Sequence, residues 1–227
     1  MLVEHVLDRP ILSALRSRHS TFAEGGTHAF RYPAEVSPFA AAIDGSDEAL
    51  AALSGLLVPG RSAILLGVNE SPLPPNAVAE HVVGAVQMLA VSVTPPEEDF
   101  PFLELSDADA AEMLALATLT KPGPFMSRTH DFGGYIGIRV EGRLVAMAGH
   151  RLKVPGFIEV SAVCTHPDFR GKGYASFLMR VVAASIQAGG DTPFLHTYAA
   201  NTGAIKLYET LGFVHRTDMR VMVVRRA

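Results

Sequence analysis

The chain has 227 residues, of which 48% are hydrophobic and 19% are charged, and its formal net charge at pH 7 is −4. This composition excludes extensive disorder, and the negative net charge argues against nucleic acid as a partner. The single cysteine, Cys164, excludes an intramolecular disulfide bond and is typical of a reducing compartment.

The apolar stretches of the sequence do not have the form of membrane spans. The longest one, at residues 82–93, is too short and is followed by Pro95 and Pro96. Near the N-terminus, Glu4 and Asp8 stand where a secretion signal needs an uninterrupted apolar core. We therefore expect a soluble, cytoplasmic protein with no membrane partner.

The first hundred residues show a mixed α/β pattern. Residues 44–57 are predicted to form a helix that begins at Ser46 or Asp47. Residues 61–68 and 81–93 are predicted to form strands. No motif in this part of the sequence indicates a function.

The segment "TPPEEDFP" at residues 94–101 combines prolines with three acids and is the predicted boundary between two regions. We predict an N-terminal α/β region of unknown role at residues 1–98 and a second domain at residues 99–227.

The second domain alternates between strand and helix patterns. Ser106 is predicted to cap a helix, Glu141 and Gly142 to turn a hairpin, and Gly189 and Gly190 to end the longest helix. The predicted elements are, in chain order, a strand at 101–105, a helix at 106–120, a loop with a short helix at 120–134, two strands within 135–152, a strand at 156–167, the helix that ends at 189, a strand at 193–199, a helix at 201–212 and a strand at 213–224.

Two glycines and two basic residues stand at the start of that longest helix, in "HPDFRGKGYASFLM" at residues 166–179. Glycines leave the backbone N–H groups at a helix N-terminus accessible, which favours an anion such as phosphate. The segment does not fit a Walker loop, because it has only Gly171-Lys172-Gly173. It does not fit a dinucleotide fingerprint either, because Ser176 replaces the third glycine and the preceding strands read as antiparallel.

Three segments in order resemble the GCN5-related N-acetyltransferase (GNAT) superfamily. "RGKGYA" at 170–175 is similar to its pyrophosphate loop, and "NTGAIKLYETLGF" at 201–213 is similar to its later motif. Together with "RTHDFGGYIGIRVEGRLVAMAG" at 128–149, they resemble the FR47-like branch, related to glycine N-acyltransferases. The resemblance covers about residues 101–226 and implies a GNAT fold of the α/β (α+β) class, with a mixed central sheet, flanking helices, and splayed fourth and fifth strands.

The resemblance also implies where acetyl-CoA binds. Backbone N–H groups of the glycine loop would hold the pyrophosphate, two basic side chains would add charge, and a strand backbone would pair with the arm that carries the thioester. The implied cofactor-binding residues are Val163, Cys164, Thr165, Arg170, Gly171, Lys172, Gly173, Tyr174, Ala175, Ser176, Asn201, Ala204 and Tyr208. The alternative is a glycine-rich turn with a solvated basic pair.

Tyr208 is the first predicted catalytic residue. Asn201, Ala204 and Tyr208 share one face of their helix by spacing. The resemblance implies that Tyr208 donates a proton to the CoA sulfur and that Asn201 contacts the CoA arm. A core aromatic on an amphipathic helix is the alternative for Tyr208, and the two descriptions are compatible.

Glu159 is the second predicted catalytic residue, as the base, acting directly or through a water. Strand alternation predicts that Glu159, Ser161, Val163 and Thr165 lie on one face. An exposed strand carboxylate is the alternative for Glu159, and His196 on the next strand is the second candidate base.

Cys164 could carry the acyl group in a ping-pong reaction, but an inert buried cysteine is the favoured interpretation. The nine histidines show no metal-ligand spacing, so we predict no metal.

The predicted function is direct transfer of an acetyl group from acetyl-CoA to a primary amine of a small molecule or amino acid. A homodimer is compatible with the sequence. A non-catalytic acyl-CoA-binding or sensor module is the alternative. The sequence leaves the acceptor open, and an aminoglycoside, a polyamine or a protein N-terminus is also compatible.

Overall fold

Two β-sheets and five α-helices make up the chain in a computed structural model that describes residues 5–90, 92–93, 96 and 99–227. The helices are α1 (Pro10–Leu15), α2 (Asp47–Leu56), α3 (Ala110–Thr120), α4 (Tyr174–Ala188) and α5 (Thr202–Thr210). The strands are β1 (Glu24–Gly25), β2 (Ala29–Arg31), β3 (Ala40–Ala42), β4 (Ser62–Gly67), β5 (Ala77–Ala90), β6 (Leu103–Glu104), β7 (Ile136–Val140), β8 (Arg143–Val154), β9 (Phe157–Thr165), β10 (Thr192–Tyr198) and β11 (Phe213–Arg226).

The larger sheet has eight strands in the order β4-β11-β5-β10-β9-β8-β7-β6, and β1-β2-β3 form a small separate sheet. Among the described strand pairs of the larger sheet, β9 and β10 run parallel and the others run antiparallel. Helices α3 and α4 both pack on β8 and β9. The predicted fold class, a mixed central sheet with flanking helices, is therefore confirmed.

Local signals in the sequence account for the elements of the second domain. Ser106 and Asp109 form a capping box just before α3, which satisfies backbone N–H groups that a helix start leaves unpaired. Glu141 and Gly142 both have positive φ, 51° and 81°, as a tight two-residue hairpin between β7 and β8 requires. The predicted cap and the predicted hairpin are thus confirmed.

Helix α4 is held on the sheet by one apolar face. Phe177, Leu178, Val182 and Ile186 recur at helical spacing and are buried against strands β8, β9 and β10. Burial of each such side chain stabilises the fold by about 1.5–3 kcal/mol. The helix therefore holds its first turn, next to the glycine loop, in a fixed position on the sheet.

Residues from both sides of the predicted boundary share the larger sheet. β5 pairs with β10 and with β11, and β4 pairs with β11. The predicted division into residues 1–98 and 99–227 therefore runs through a single sheet. Residues 94–95 and 97–98 of the predicted boundary segment lie outside the described residues.

The N-terminal segment covers one face of that sheet. Leu7, Ile11 and Leu15 are buried in a cluster with Phe194 and Met219 of strands β10 and β11. Neither α1 nor the small sheet was expected from the sequence pattern. In the part of the chain that the structure describes, no helix has both the length and the apolar character to cross a membrane.

Candidate active site

Strands β9 and β10 separate part of the way along their length. They pair in parallel at three positions, the last of which places Phe194 opposite Glu159. Beyond that pair β9 continues to Thr165 and β10 to Tyr198, with no further pairing between them among the described residues. The predicted splay is confirmed, and it leaves backbone groups on both strands free of a strand partner.

A β-bulge at Ala162 reshapes β9 inside this gap. Met147 and Gly149 of β8 lie opposite Cys164 and Ser161, so that one residue more is present on β9 than on β8. Ala162 takes a positive φ of 54°, which is uncommon for a residue with a side chain. The bulge therefore turns the backbone of β9 at the point where the gap opens.

The bulge also changes which side chains share a face. Ser161 and Cys164 lie opposite residues two apart on β8, so they share a face. Val163 packs with the α4 core, whereas Cys164 packs with α3 on the other side of the sheet. The predicted common face of Glu159, Ser161, Val163 and Thr165 is therefore wrong, because simple alternation does not hold across a bulge.

The glycine loop lies beside a cavity of about 440 Å³, which we call the loop cavity. Gly171 and Gly173 have positive φ values of 77° and 83°, and Gly173 directly precedes the first turn of α4. Ten of the predicted cofactor-binding residues line this cavity, namely Val163, Cys164, Thr165, Arg170, Gly171, Lys172, Gly173, Tyr174, Ala175 and Ser176. Helix-terminal N–H groups and two basic side chains give this cavity the character of an anion site.

A second cavity, of about 560 Å³, lies in the gap between β9 and β10, and we call it the central cavity. Val160–Val163 line it from β9, Leu195–Tyr198 from β10, and Thr120–Pro124 from the end of α3. Thr120, Pro122 and Val163 also line the loop cavity, so the two cavities are adjacent. A long ligand could reach from one into the other.

Two predicted residues line the central cavity from α5 and its start: Tyr208 in the helix and Asn201, the residue just before it. Burial raises the pKa of Tyr208 above its ordinary value of 10.0, so its hydroxyl is protonated at neutral pH. Asn201 Oδ1 accepts a hydrogen bond from Ala204 N at 3.3 Å and so caps the helix. Ala204 itself lines neither of the two cavities.

Glu159 lies at the point where the strands separate, and its side chain is 0% exposed. Arg151 donates two hydrogen bonds to the carboxylate of Glu159, and the one from Nε to Oε2 is 2.9 Å long. His196 Nδ1 lies 2.7 Å from Oε1 of the same carboxylate. Burial alone would raise the pKa of Glu159, but the charge of Arg151 and these hydrogen bonds outweigh it and lower the pKa to about 2. A carboxylate held in this way suits a structural ion pair better than the predicted base.

His196, the other candidate base, has both ring nitrogens occupied. Gln87 Nε2 lies 2.8 Å from His196 Nε2, while Gln87 Oε1 accepts a hydrogen bond from Arg216 at 2.8 Å. Because Gln87 Oε1 is the acceptor, Gln87 Nε2 is the amide nitrogen and donates to His196 Nε2. His196 Nε2 therefore carries no proton, and His196 donates from Nδ1 to Glu159. In this tautomer His196 has no free lone pair to accept a proton.

Sequence reasoning missed Arg151 and Gln87. Val154 and Phe157 pair across the turn between β8 and β9, and simple counting from that pair would place Arg151 opposite Val160 instead of beside Glu159. A register shift in β8 between His150 and Lys153 brings Arg151 to Glu159. No local signal exists for Gln87 either, because its partner His196 is 109 residues away.

Cys164 is buried beside the loop cavity, and the described side chains that come close enough together for a metal ion lie elsewhere. Cys164 is 6% exposed, and burial raises the pKa of its thiol to about 11, so the nucleophilic thiolate is scarce at neutral pH. Among the described residues, Asp107, His130 and Asp131 are close enough together to hold a metal ion. None of the three lines the loop cavity or the central cavity.

Comparison with known proteins agrees with this geometry. The family model of the FR47-like protein matches residues 135–222. A crystal structure of a Novosphingobium aromaticivorans protein, assigned to the GNAT family of acetyltransferases, shares 37% identity with a TM-score of 0.92, and the match covers 99% of this chain and 100% of that chain.

Two more distant structures support the fold alone. A GCN5-related N-acetyltransferase from Kribbella flavida has a TM-score of 0.66 at 16% identity, covering 94% of this chain and 93% of that one. A GNAT-family acetyltransferase from Colwellia psychrerythraea has a TM-score of 0.54 at 13% identity, covering 98% of each chain. A search of curated proteins finds no match. From the 37% identity over nearly its whole length, together with the family match, we conclude that the chain belongs to the GNAT family of acetyltransferases, in the FR47-like branch.

Proposed function

We propose that the protein transfers an acetyl group from acetyl-CoA directly to a primary amine of a small molecule or amino acid. The observation that carries this proposal is the gap between β9 and β10, which opens a cavity next to the glycine loop. A thioester arm that extends from the loop cavity into the central cavity would bring its acyl group beside Tyr208. A cytoplasmic location, as predicted, would supply the acetyl-CoA.

Donor binding would use the backbone more than the side chains. N–H groups between Gly171 and Ser176 would receive the pyrophosphate, and Arg170 and Lys172 would add positive charge. The stretch of β9 from Val163 to Thr165 pairs with β8 but not with β10, and its edge toward β10 would hydrogen-bond to the pantetheine arm as a strand does. One N–H of that segment would polarise the thioester carbonyl.

Transfer requires one bond to form and one to break. The neutral amine attacks the thioester carbonyl carbon, the C–N bond forms, the C–S bond breaks, and the sulfur leaves as a thiolate. Tyr208, kept protonated by burial, would give its proton to that sulfur. Because Glu159 and His196 are occupied by each other and by Arg151 and Gln87, we propose that the amine arrives already neutral and loses its second proton to water.

The non-catalytic alternative draws on the same observation. A chain whose two candidate bases are both committed to buried contacts could bind acyl-CoA without acting on it. Catalysis is the better proposal for two reasons. Neutral amine from solution makes a protein base unnecessary, and Tyr208, in the lining of the central cavity, would protonate the CoA sulfur.

A two-step experiment separates the two functions. Acetyl-CoA is first titrated against the protein by calorimetry, and free CoA thiol is then measured with a panel of primary amines. Saturable binding with amine-dependent release of CoA, and intersecting lines when both substrates are varied, supports direct transfer. Binding with no release for any amine would favour the sensor, and absence of binding would contradict both.

A further inference from the structure

The charged side chains described in the lining of the central cavity are both basic. Among its described lining residues, Lys121 and Arg151 are the cations, and no aspartate or glutamate is present. The nearest carboxylate to Arg151, that of Glu159, is fully buried behind it and does not line the cavity. A polyamine or an aminoglycoside, which brings several positive charges, would find no carboxylate to pair with among these lining residues.

Arg151 is held so that one part of its guanidinium group stays open. Its Nε and Nη2 donate to Glu159, and its Cζ lies 5.1 Å from the centre of the Phe39 ring. Nη1 makes no hydrogen bond to the residues that the structure describes, and it lies 3.7 Å from where a Cβ on Gly123 would be. The side chain is 11% exposed, and it lines the central cavity.

An arginine that is fixed on one edge and open on the other is suited to bind an anion. Guanidinium groups prefer carboxylates, and little side-chain freedom is lost when the group is already immobile. We propose that Nη1 of Arg151 binds an acidic group on the acceptor, so that the preferred acceptors are small primary amines that also carry a carboxylate. This inference rests on the proposed function and adds the acceptor class to it.

The lining of the central cavity also helps to keep the reacting nitrogen neutral. Glu159 compensates the charge of Arg151, so the like-charge effect comes from Lys121, which disfavours an ammonium ion near it, and no described carboxylate of the cavity lining stabilises that ion.

The test compares amines that differ only in the acidic group. Glycine is compared with glycinamide, and phenylalanine with phenylalaninamide and phenethylamine, with acetyl-CoA as donor. Rates are expressed per concentration of neutral amine, because the amine pKa differs between acid and amide. We expect kcat/KM to be at least about tenfold higher for the acids, mainly through KM, which is the discrimination that one charge-assisted hydrogen bond provides.

Two variants assign the preference to Arg151. Arg151→Gln combined with Glu159→Gln removes both charges of the buried pair, so that neither is left uncompensated. It should lose the preference for acids. The matched control is Arg139→Gln with Asp109→Asn, a pair joined at 2.6 Å that does not line the central cavity, and it should keep the preference. If the double variant at 151 and 159 does not fold, Arg151→Lys keeps a charge beside Glu159 and should reduce the preference.

Each outcome decides one question. Equal turnover of acids and amides, or a preference that survives in the Arg151 variants, would overturn the inference and leave the proposed function intact. If acetyl-CoA binds but no amine of either kind reacts, the proposed function fails, and binding of N-acetylglycine against N-acetylglycinamide in the presence of CoA still tests Arg151. Equal affinity of the two, or no binding of either, would overturn the inference in that case.

Discussion

The loop cavity and the central cavity are built in different ways. Most of the loop cavity is lined by one continuous segment, Phe169–Ser176, together with the end of β9. The central cavity takes its lining from segments that extend from Phe39 to Val221. Under the proposed function, the cofactor site is thus compact in sequence, whereas the acceptor site is assembled from segments across the whole fold.

Glu159→Gln tests whether buried charges support the central cavity. It leaves Arg151 buried without its carboxylate, so we expect a loss of about 3–5 kcal/mol in the free energy of unfolding. The pKa of Glu159, about 2, is below its ordinary value of 4.5, so its stabilisation is present above pH 4.5 and is lost as the pH falls toward 2. Denaturant unfolding should therefore show a constant difference from the wild type between pH 5 and pH 9.

Glu112→Gln is the control for that measurement, since Glu112 pairs with Arg139 at a largely exposed position. We expect it to change stability by less than about 1 kcal/mol. A Glu159→Gln variant of full stability, with turnover that recovers as the pH rises, would restore Glu159 as the base.

Tyr208→Phe separates chemistry from packing in the central cavity. The ring and its contact with Phe213 remain, so stability and acetyl-CoA affinity should survive while kcat falls about 100-fold. Tyr198→Phe is the matched control, because Tyr198 lines the same cavity and is exposed. Unchanged kcat in Tyr208→Phe at every pH would show that another group protonates the thiolate.

Gly173→Val tests the loop cavity. The added side chain obstructs the phosphate position and strains a backbone with φ of 83°, so the Kd for acetyl-CoA should rise more than about tenfold. Gly190→Val, at φ of 85° beyond the far end of α4, carries similar strain without lining the cavity. If both variants bind acetyl-CoA equally well, the loop does not hold the pyrophosphate.

Cys164→Ala should have the smallest effect, because Cys164 lines the loop cavity but has no chemical role in direct transfer. With a thiol pKa of about 11, we expect kcat to stay within about twofold of the wild type. An acylated Cys164 in the intact protein by mass spectrometry, with activity lost in the variant, would instead support the covalent route.

The difference between the cavities also explains which structural features could be predicted from the sequence. The capping box at Ser106, the hairpin at Glu141 and the glycine loop depend on neighbouring residues, so local patterns predict them. The same holds for the helix that carries Asn201 and Tyr208.

The remaining features depend on pairing over long distances. β5 is placed between β10 and β11, which follow it by more than 100 residues, and no local pattern specifies that order. The predicted common face of β9 side chains was wrong because nothing in the sequence of β9 indicates the extra residue at the Ala162 bulge. The partners of Glu159 and His196, which are Arg151 and Gln87, could likewise not be predicted, because strand pairing in the sheet sets these contacts.

The separation of β9 and β10 after Glu159 has a consequence for the folded chain itself. A ligand that fills this gap binds only the folded state, and it stabilises that state by RT ln(1 + [L]/Kd), about 2.7 kcal/mol when the ligand is at 100 times its Kd. Bound acetyl-CoA would occupy the position of a ninth strand of the larger sheet, between β9 and β10, and would leave that position when it dissociates. The fraction of the protein that survives heating, and its lifetime in a cell that degrades unfolded chains, would then follow the supply of its own cosubstrate.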